Sequence, residues 1–290
     1  MDFREENVVR RRRAGLVFAL ALLGGLGNTL PPAGAAGPSF QIGLIGDTGY
    51  TSAQDADLIK VRQSMAGYPL AFEVHDGDIQ EEGTPCVDSR LQYVRGIFDG
   101  FSAPFVYTPG DNEWNNCKDA YARLAAIRRI FFSSGQTLGK RRMSVQRQSG
   151  LPENARWSQN GVYFATINVP GPSGNGPSTS GDVKWLNGTF DAAQSAKAAG
   201  VMIIWQDDPF SGGSNGALVS ALKSRAKSFG KPVVLVHGDT HTHRVDHPWG
   251  DVLNFTRVET YAESGSRNWV RATVDPSSPS VFSFASVTAR

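Results

Sequence analysis

Residues 40–49 read Phe-Gln-Ile-Gly-Leu-Ile-Gly-Asp-Thr-Gly, and this stretch decides how the rest of the chain is parsed. Six residues rich in β-formers run into a Gly-Asp turn, which is the pattern of a strand that stops at Asp47. The pattern recurs. Leu70 to Val74 runs into His75-Asp76-Gly77-Asp78, and Phe105 to Tyr107 into Pro109-Gly110-Asp111-Asn112-Glu113-Trp114. Val201 to Trp205 runs into Gln206-Asp207-Asp208-Pro209, and Pro232 to Val236 into His237-Gly238-Asp239-Thr240-His241. Helical spacing fills the gaps at Ser52 to Met65, Leu91 to Phe98, Lys118 to Phe132, Asp182 to Ala199 and Ala217 to Phe229. Short strands are expected at Val162 to Val169 and, after the last helix, near 251–258, 268–274 and 280–286. Strands alternating with helices predict an α/β fold with parallel pairing and helices on the sheet faces. In such folds ligands bind beyond the carboxyl ends of the strands. One Gly-Asp ending is an ordinary turn. Five endings rich in Asp, Asn, Gln and His call for a shared cause.

The composition excludes several classes. A chain of 290 residues with 40% hydrophobic and 19% charged residues can bury a full core, so general disorder is excluded. Two cysteines exclude a disulfide-dense scaffold and a four-cysteine zinc module. Four of the five histidines fall within residues 237–247. The formal charge of +2 sits wholly in the first 36 residues. Removing their five arginines and three acids leaves 24 bases and 24 acids. A neutral remainder gives no electrostatic case for nucleic acid.

Residues 1–36 read as an export signal: Arg10 to Arg13, then the apolar run Leu16 to Leu23, then Ala33-Gly34-Ala35-Ala36. The apolar run is shorter than the roughly 20 residues a membrane span needs. The expected organisation is a signal at 1–36 and one domain over 37–290, in a periplasmic or extracellular protein with no stable span after cleavage. An oxidising compartment favours a Cys86–Cys117 bridge over two free thiols.

Clustered Asp, Asn, Gln and His provide oxygen and imidazole donors for hard or borderline divalent metals. The ordered series Gly46-Asp47-Thr48-Gly49, Gly77-Asp78, Gly110-Asp111-Asn112-Glu113 and Gly238-Asp239-Thr240-His241 resembles that of the calcineurin-like metallophosphoesterases. Trp185-Leu186, opening a helix that leads to Gln206, adds to it. The likeness spans about Phe40 to Pro248 and is nearest a carboxylate-rich bacterial exported variant. It implies a four-layer α-β-β-α sandwich, two divalent metal ions (Mn, Mg, Fe, Zn or Ca) and a phosphate-ester substrate. The metal ligands it implies are Asp47, Asp78 as the bridging carboxylate, Asp111, Gln206, Asp239 and His241, with Asp207 or Asp208 as alternatives to Gln206.

Five positions depart from the family pattern, among them Asp111 in place of a metal-binding Asn and Gln206, Asp207 or Asp208 in place of the fourth-motif histidine. Gly49 replaces the first-motif histidine, as in the purple acid phosphatases. Those enzymes place a tyrosine three residues after the second-motif Asp. Here that position is Glu81, so no tyrosinate–iron site is expected from the pattern. Asn112 stands where the catalytic histidine would be, and an amide cannot donate a proton at a useful pKa. Asp239 replaces a fifth-motif histidine. His243 is the candidate to take over proton donation. Tyr50 and Trp114 could line a substrate cleft, though packing is the commoner role for aromatics there. Lys140, Arg141, Arg142, Arg147 and Arg156 form a basic stretch, read as a solvated face or, more sharply, a phosphate-binding lip. Two functions follow: an exported metal-dependent phosphoesterase, or a non-catalytic binding protein on a degenerate fold. The residues do not specify the oligomeric state.

Overall fold

A computed structural model describes residues 37–169, 179–210, 216–262 and 265–290. The expected signal at 1–36 lies outside the described residues. The first strand, β1 (Phe40–Ile45), ends two residues before Asp47. Then come α1 (Ser52–Met65), β2 (Leu70–His75), α2 (Asp88–Asp99), β3 (Phe105–Tyr107) and α3 (Ala120–Phe131). Next are β4 (Gln146–Gln148), β5 (Leu151–Gln159), β6 (Val162–Thr166), α4 (Thr179–Ser195), β7 (Gly200–Ile204), α5 (Gly216–Phe229) and β8 (Val233–His237). The chain closes with β9 (Arg244–Asp246), β10 (Phe255–Glu259), β11 (Asn268–Val274) and β12 (Phe282–Thr288).

The strands form two mixed sheets, in the orders β12-β11-β1-β2-β3 and β4-β5-β6-β7-β8-β10-β9. The expected parallel pairing holds in their centres, β1-β2-β3 and β6-β7-β8-β10. The flanking strands β4, β5, β9, β11 and β12 pair antiparallel.

Side-chain alternation builds the layers. On β7, Met202 and Ile204 point into the core between the sheets, while Val201 and Ile203 meet α4 and α5 through Leu186, Phe190, Leu218 and Leu222. On the other sheet, Leu44, Phe72, Val74 and Val106 face the inter-sheet core. Ile45, Phe105 and Tyr107 meet Leu58, Val61, Leu91, Phe98 and Ile127 from α1 to α3. The result is α, β, β, α in four layers. Strands covered on both faces carry continuous apolar runs, which is why β6, β7 and β8 are legible in sequence.

The basic stretch divides: Lys140, Arg141 and Arg142 lie on an exposed face, as expected, whereas Arg147 lies in β4 and Arg156 in β5. Arg147 donates to Ser134 O and Pro152 O, Arg141 to Ser102 O and Leu70 O, and Arg156 to Gln146 Oε1. Arg156 also lies over the Trp185 ring at 4.6 Å. The strand β5 escapes pattern reading because it buries polar groups. Glu153 takes a two-pronged contact from Arg128 at 2.6 and 2.9 Å, and Asn154 donates to Asp182 at 2.9 Å.

Candidate metal centre

The carboxyl ends of β1, β2, β3, β7 and β8 open at one end of the two sheets. There the backbone makes unusual turns. Seven non-glycine residues have positive φ among the described residues, and four are Asp47 (47°), Asp78 (58°), Asp239 (80°) and His241 (57°). Non-glycine residues seldom adopt this region, and such outliers gather at functional sites. The left-handed turn folds each acidic side chain back over the neighbouring strand ends. Glycines make room for them. A Cβ on Gly238 would lie 1.8 Å from Asp47 Oδ2, and one on Gly110 would lie 2.0 Å from Asp78 Oδ1. The Gly110-Asp111 and Gly238-Asp239 pairs thus serve two purposes, each glycine seating the aspartate of another strand end.

Asp47 and Asp78 are buried. Asp47 Oδ1 accepts from Asp239 N at 3.0 Å and stands 3.7 Å from His241 Nε2. Asp78 Oδ1 accepts from Asn112 N at 3.2 Å, which ties the third strand ending to the second. Gln206 Nε2 reaches three carboxylates: Asp78 Oδ2 at 3.0 Å, and Asp47 Oδ1 and Asp239 Oδ1 at 3.5 Å each. Asp111 accepts from Asn116 at 3.0 Å, and Asn112 Oδ1 from the same amide at 3.3 Å. A cavity of about 270 Å3 opens over these groups, lined by Tyr50, Asp78, Glu81, Glu82, Asp111, Asn112, Asp239 and His241. A larger cleft of about 570 Å3 lies beside the Cys86–Cys117 bridge. Its Asp88 and Arg123 are paired with each other at 3.2 Å, so it offers no comparable set of facing charges.

The electrostatics are lopsided. Burial pushes the carboxyls of Asp47 and Asp78 well above the usual range, and the charges of Asp239 on Asp47 and of Glu113 and Asp47 on Asp78 push further. Asp111 is raised by burial and by Asp239. Asp47 Oδ2 and Gln206 Oε1 are buried without a hydrogen-bond partner. A divalent cation would relieve both faults, since it favours ionised carboxylates and accepts an amide oxygen. Among the described residues, no group of three or more His, Cys, Asp and Glu side chains is placed to hold a metal by itself. The donors that converge here include an amide and a phenol, Gln206 and Tyr50, which lie outside those four types. With these counted, the donor chemistry fits a hard cation.

Other expected residues find other work. His243 is not brought to the cavity: its Nδ1 donates to Glu259 O at 2.7 Å, and its ring stacks on Tyr261 at 3.9 Å. His237 is buried, with its pKa lowered by burial to about 4, and its Nδ1 donates to Gly238 O. His75 is held neutral, with a pKa lowered by burial to about 3. Its Nδ1 accepts from Gly77 N, so Nε2 carries the proton and donates to Thr48, joining the first two strand endings. Glu113 is a strut, accepting from Tyr107 at 2.5 Å and from Gly110 N at 2.8 Å. Trp114 is core. Cys86 and Cys117 form a disulfide with a Cα–Cα distance of 6.0 Å, tying the Glu81-Glu82 loop to the Asp111-Asn112 loop.

One residue escaped the sequence reading. Asp76 is buried behind the site, accepting from Thr260 at 2.9 Å while Oδ1 has no partner. Tyr50, named from the sequence as a possible cleft residue, lines the cavity and points its hydroxyl at Asp47, Asp78 and His241. Its one sequence signal is its place directly after the Gly49 turn.

No family model matches the sequence, and no curated protein is similar enough to match. Solved structures do match. A dimetal phosphatase from Danio rerio is 13% identical, with 88% of this chain and 100% of that one covered and a TM-score of 0.59. The anchor in the inner membrane complex of Plasmodium is 14% identical, over 88% of this chain and 90% of that one, with a TM-score of 0.51. Identities this low speak for architecture alone: the chain shares its fold with these two proteins.

Proposed function

We propose that the chain is an exported, metal-dependent hydrolase of phosphate esters. One observation carries the reading: Asp47, Asp78, Asp239, Gln206 and His241 converge from four strand ends, all but Gln206 on left-handed backbone, with the Asp47 and Asp78 carboxyls raised and no Lys or Arg among them. Asp47, Asp78, Asp111, Gln206, Asp239 and His241 would hold two divalent ions. When bound, these supply a hydroxide nucleophile at neutral pH and neutralise charge on the phosphoryl oxygens. Asp78 lies centrally and would serve both ions. Gln206 would turn its amide to present Oε1, the atom that now lacks a partner. Asn112 would orient the ester by hydrogen bonding without exchanging a proton. Water protonates the leaving group, since His243 is engaged elsewhere.

The acidic walls, with Glu81 and Glu82 at the cavity mouth, leave phosphate binding to the ions. Oxygen-rich donors favour Mn, Mg, Ca or Fe over Zn. The residues 1–36 leader and the Cys86–Cys117 bridge support export, with 37–290 as one phosphoesterase domain. No helix among the described residues is long and apolar enough to cross a membrane.

The test is turnover of nitrophenyl phosphate mono- and diesters by protein loaded with Mn, Mg, Zn or Fe. Turnover that disappears in Asp78→Ala is expected; no turnover with any of them rejects the reading. A second reading is a non-catalytic binding protein. It is motivated by Gly49 and Asn112 at the family's histidine positions and by the anchor of Plasmodium sharing the fold. Stoichiometric metal without turnover would favour it.

A further inference from the structure

The Tyr50 hydroxyl stands 3.4 Å from Asp47 Oδ1, 3.4 Å from Asp78 Oδ2 and 3.4 Å from His241 Nε2. His241 Nε2 and Asp47 Oδ1 are 3.7 Å apart. Hydrogen bonding explains these distances poorly. A strong O–H···O contact is about 2.7–2.8 Å long, and one hydroxyl proton cannot serve both carboxylates. A cation explains them well. Donors at about 2.1 Å around a four-coordinate ion stand roughly 3.4 Å apart, the edge of a tetrahedron. Four of the six separations among these atoms, at 3.4 to 3.7 Å, therefore match the edges of a coordination shell.

Tyr50 is also held firmly for this purpose. It directly precedes Thr51, the cap of α1, and its N–H donates to Gln54 Oε1 at 2.8 Å, within the capping box that starts the helix. Arg90 fixes the turn before it, donating to Gly49 O and to Asp55 at 2.8 and 2.9 Å. A phenol meant only for packing would not need its backbone secured from two sides while its oxygen faces three polar groups.

We propose that Tyr50 Oη is a donor to the same cation as Asp47, Asp78 and His241, resting on the metal-centre reading above. The phenol oxygen reaches the site from the loop after β1, whereas Glu81 rules out a tyrosine from the loop after β2. On binding a ferric ion, the O–H bond breaks, the proton passes to water and an oxygen–iron bond forms, with no change in oxidation state. A phenolate on ferric iron absorbs visible light, and carboxylate, amide and imidazole donors do not supply that band.

The experiment uses the oxidised full chain after removal of residues 1–36, in wild-type, Tyr50→Phe and Tyr261→Phe forms. Each is titrated with Fe3+ and scanned in the visible, and separately titrated with Mn2+ by calorimetry. Wild type and Tyr261→Phe are expected to show the band, and Tyr50→Phe to lose it. Tyr50→Phe should also bind its tightest Mn2+ at least tenfold more weakly, with an unchanged melting temperature in metal-free protein. Iron uptake without a band in wild type, or a band that survives in Tyr50→Phe, overturns the tyrosine assignment alone. Wild type that takes up neither ion overturns the tyrosine assignment and the metal-centre reading together.

Discussion

Two buried acidic regions of this molecule are built on opposite principles. In the scaffold, Glu153 is gripped twice by Arg128, Asp55 twice by Arg90, and Glu259 by Arg244 at 2.8 Å. At the strand ends, Asp47, Asp78 and Asp239 face one another, with only the Gln206 amide shared among the three. A buried charge without a partner lowers stability, so an arrangement that persists in this state is arranged for something else. The difference separates acids that hold the fold from acids that await a cation.

The sharpest way to break the comparison is Asp78→Asn. Activity with added metal should fall on the order of 10³-fold. The metal-free variant should melt no lower than wild type, because the lost charge was opposed by burial and by Glu113, Asp47 and Asp111. A large loss of metal-free stability would put Asp78 among the scaffold acids. Next in size is reduction of Cys86–Cys117, whose cysteines are 31 residues apart. Its loss should cost about 3 kcal/mol, read as a drop in denaturation midpoint in dithiothreitol. Unchanged stability would show that the two loops are held without it.

Glu153→Gln sharpens the other side. Arg128 loses its charged partner, and stability should fall by about 2 kcal/mol with metal binding untouched. The smallest effect concerns Glu73, whose carboxyl burial raises to about 7. A folded pKa above the unfolded value means stability is full below about pH 4.5 and is lost as pH rises through 7. Glu73→Gln should therefore melt higher than wild type at pH 8 by roughly 1–2 kcal/mol, and the advantage should vanish at pH 5. A pH-independent difference would contradict this.

Much of the fold was legible because the chain writes it in apolar runs. β6, β7 and β8 are covered on both faces, and α1 matches its expected bounds, Ser52 to Met65. The strand β5 was not legible, since Glu153 and Asn154 are buried by pairing rather than by hydrophobicity, a partnership that sequence spacing does not reveal. At the site, Gly-Asp doublets at strand ends located Asp47, Asp78 and Asp239. What each carboxylate faces depends on a left-handed φ that side-chain identity does not encode. For the same reason His243, two residues from His241, was a fair candidate until the turn sent it to Tyr261. Tyr50 was legible as a possible cleft residue but not as a neighbour of the acids, because its hydroxyl meets the cluster across 191 residues of chain, at His241.

The central claim is that the facing carboxylates are a cation site. Calorimetric titration of metal-free protein with Mn2+ tests it most directly. Saturable binding of up to two ions per chain, lost or sharply weakened in Asp78→Ala, is the predicted result. Binding that never saturates, or that is identical in Asp78→Ala, would contradict it.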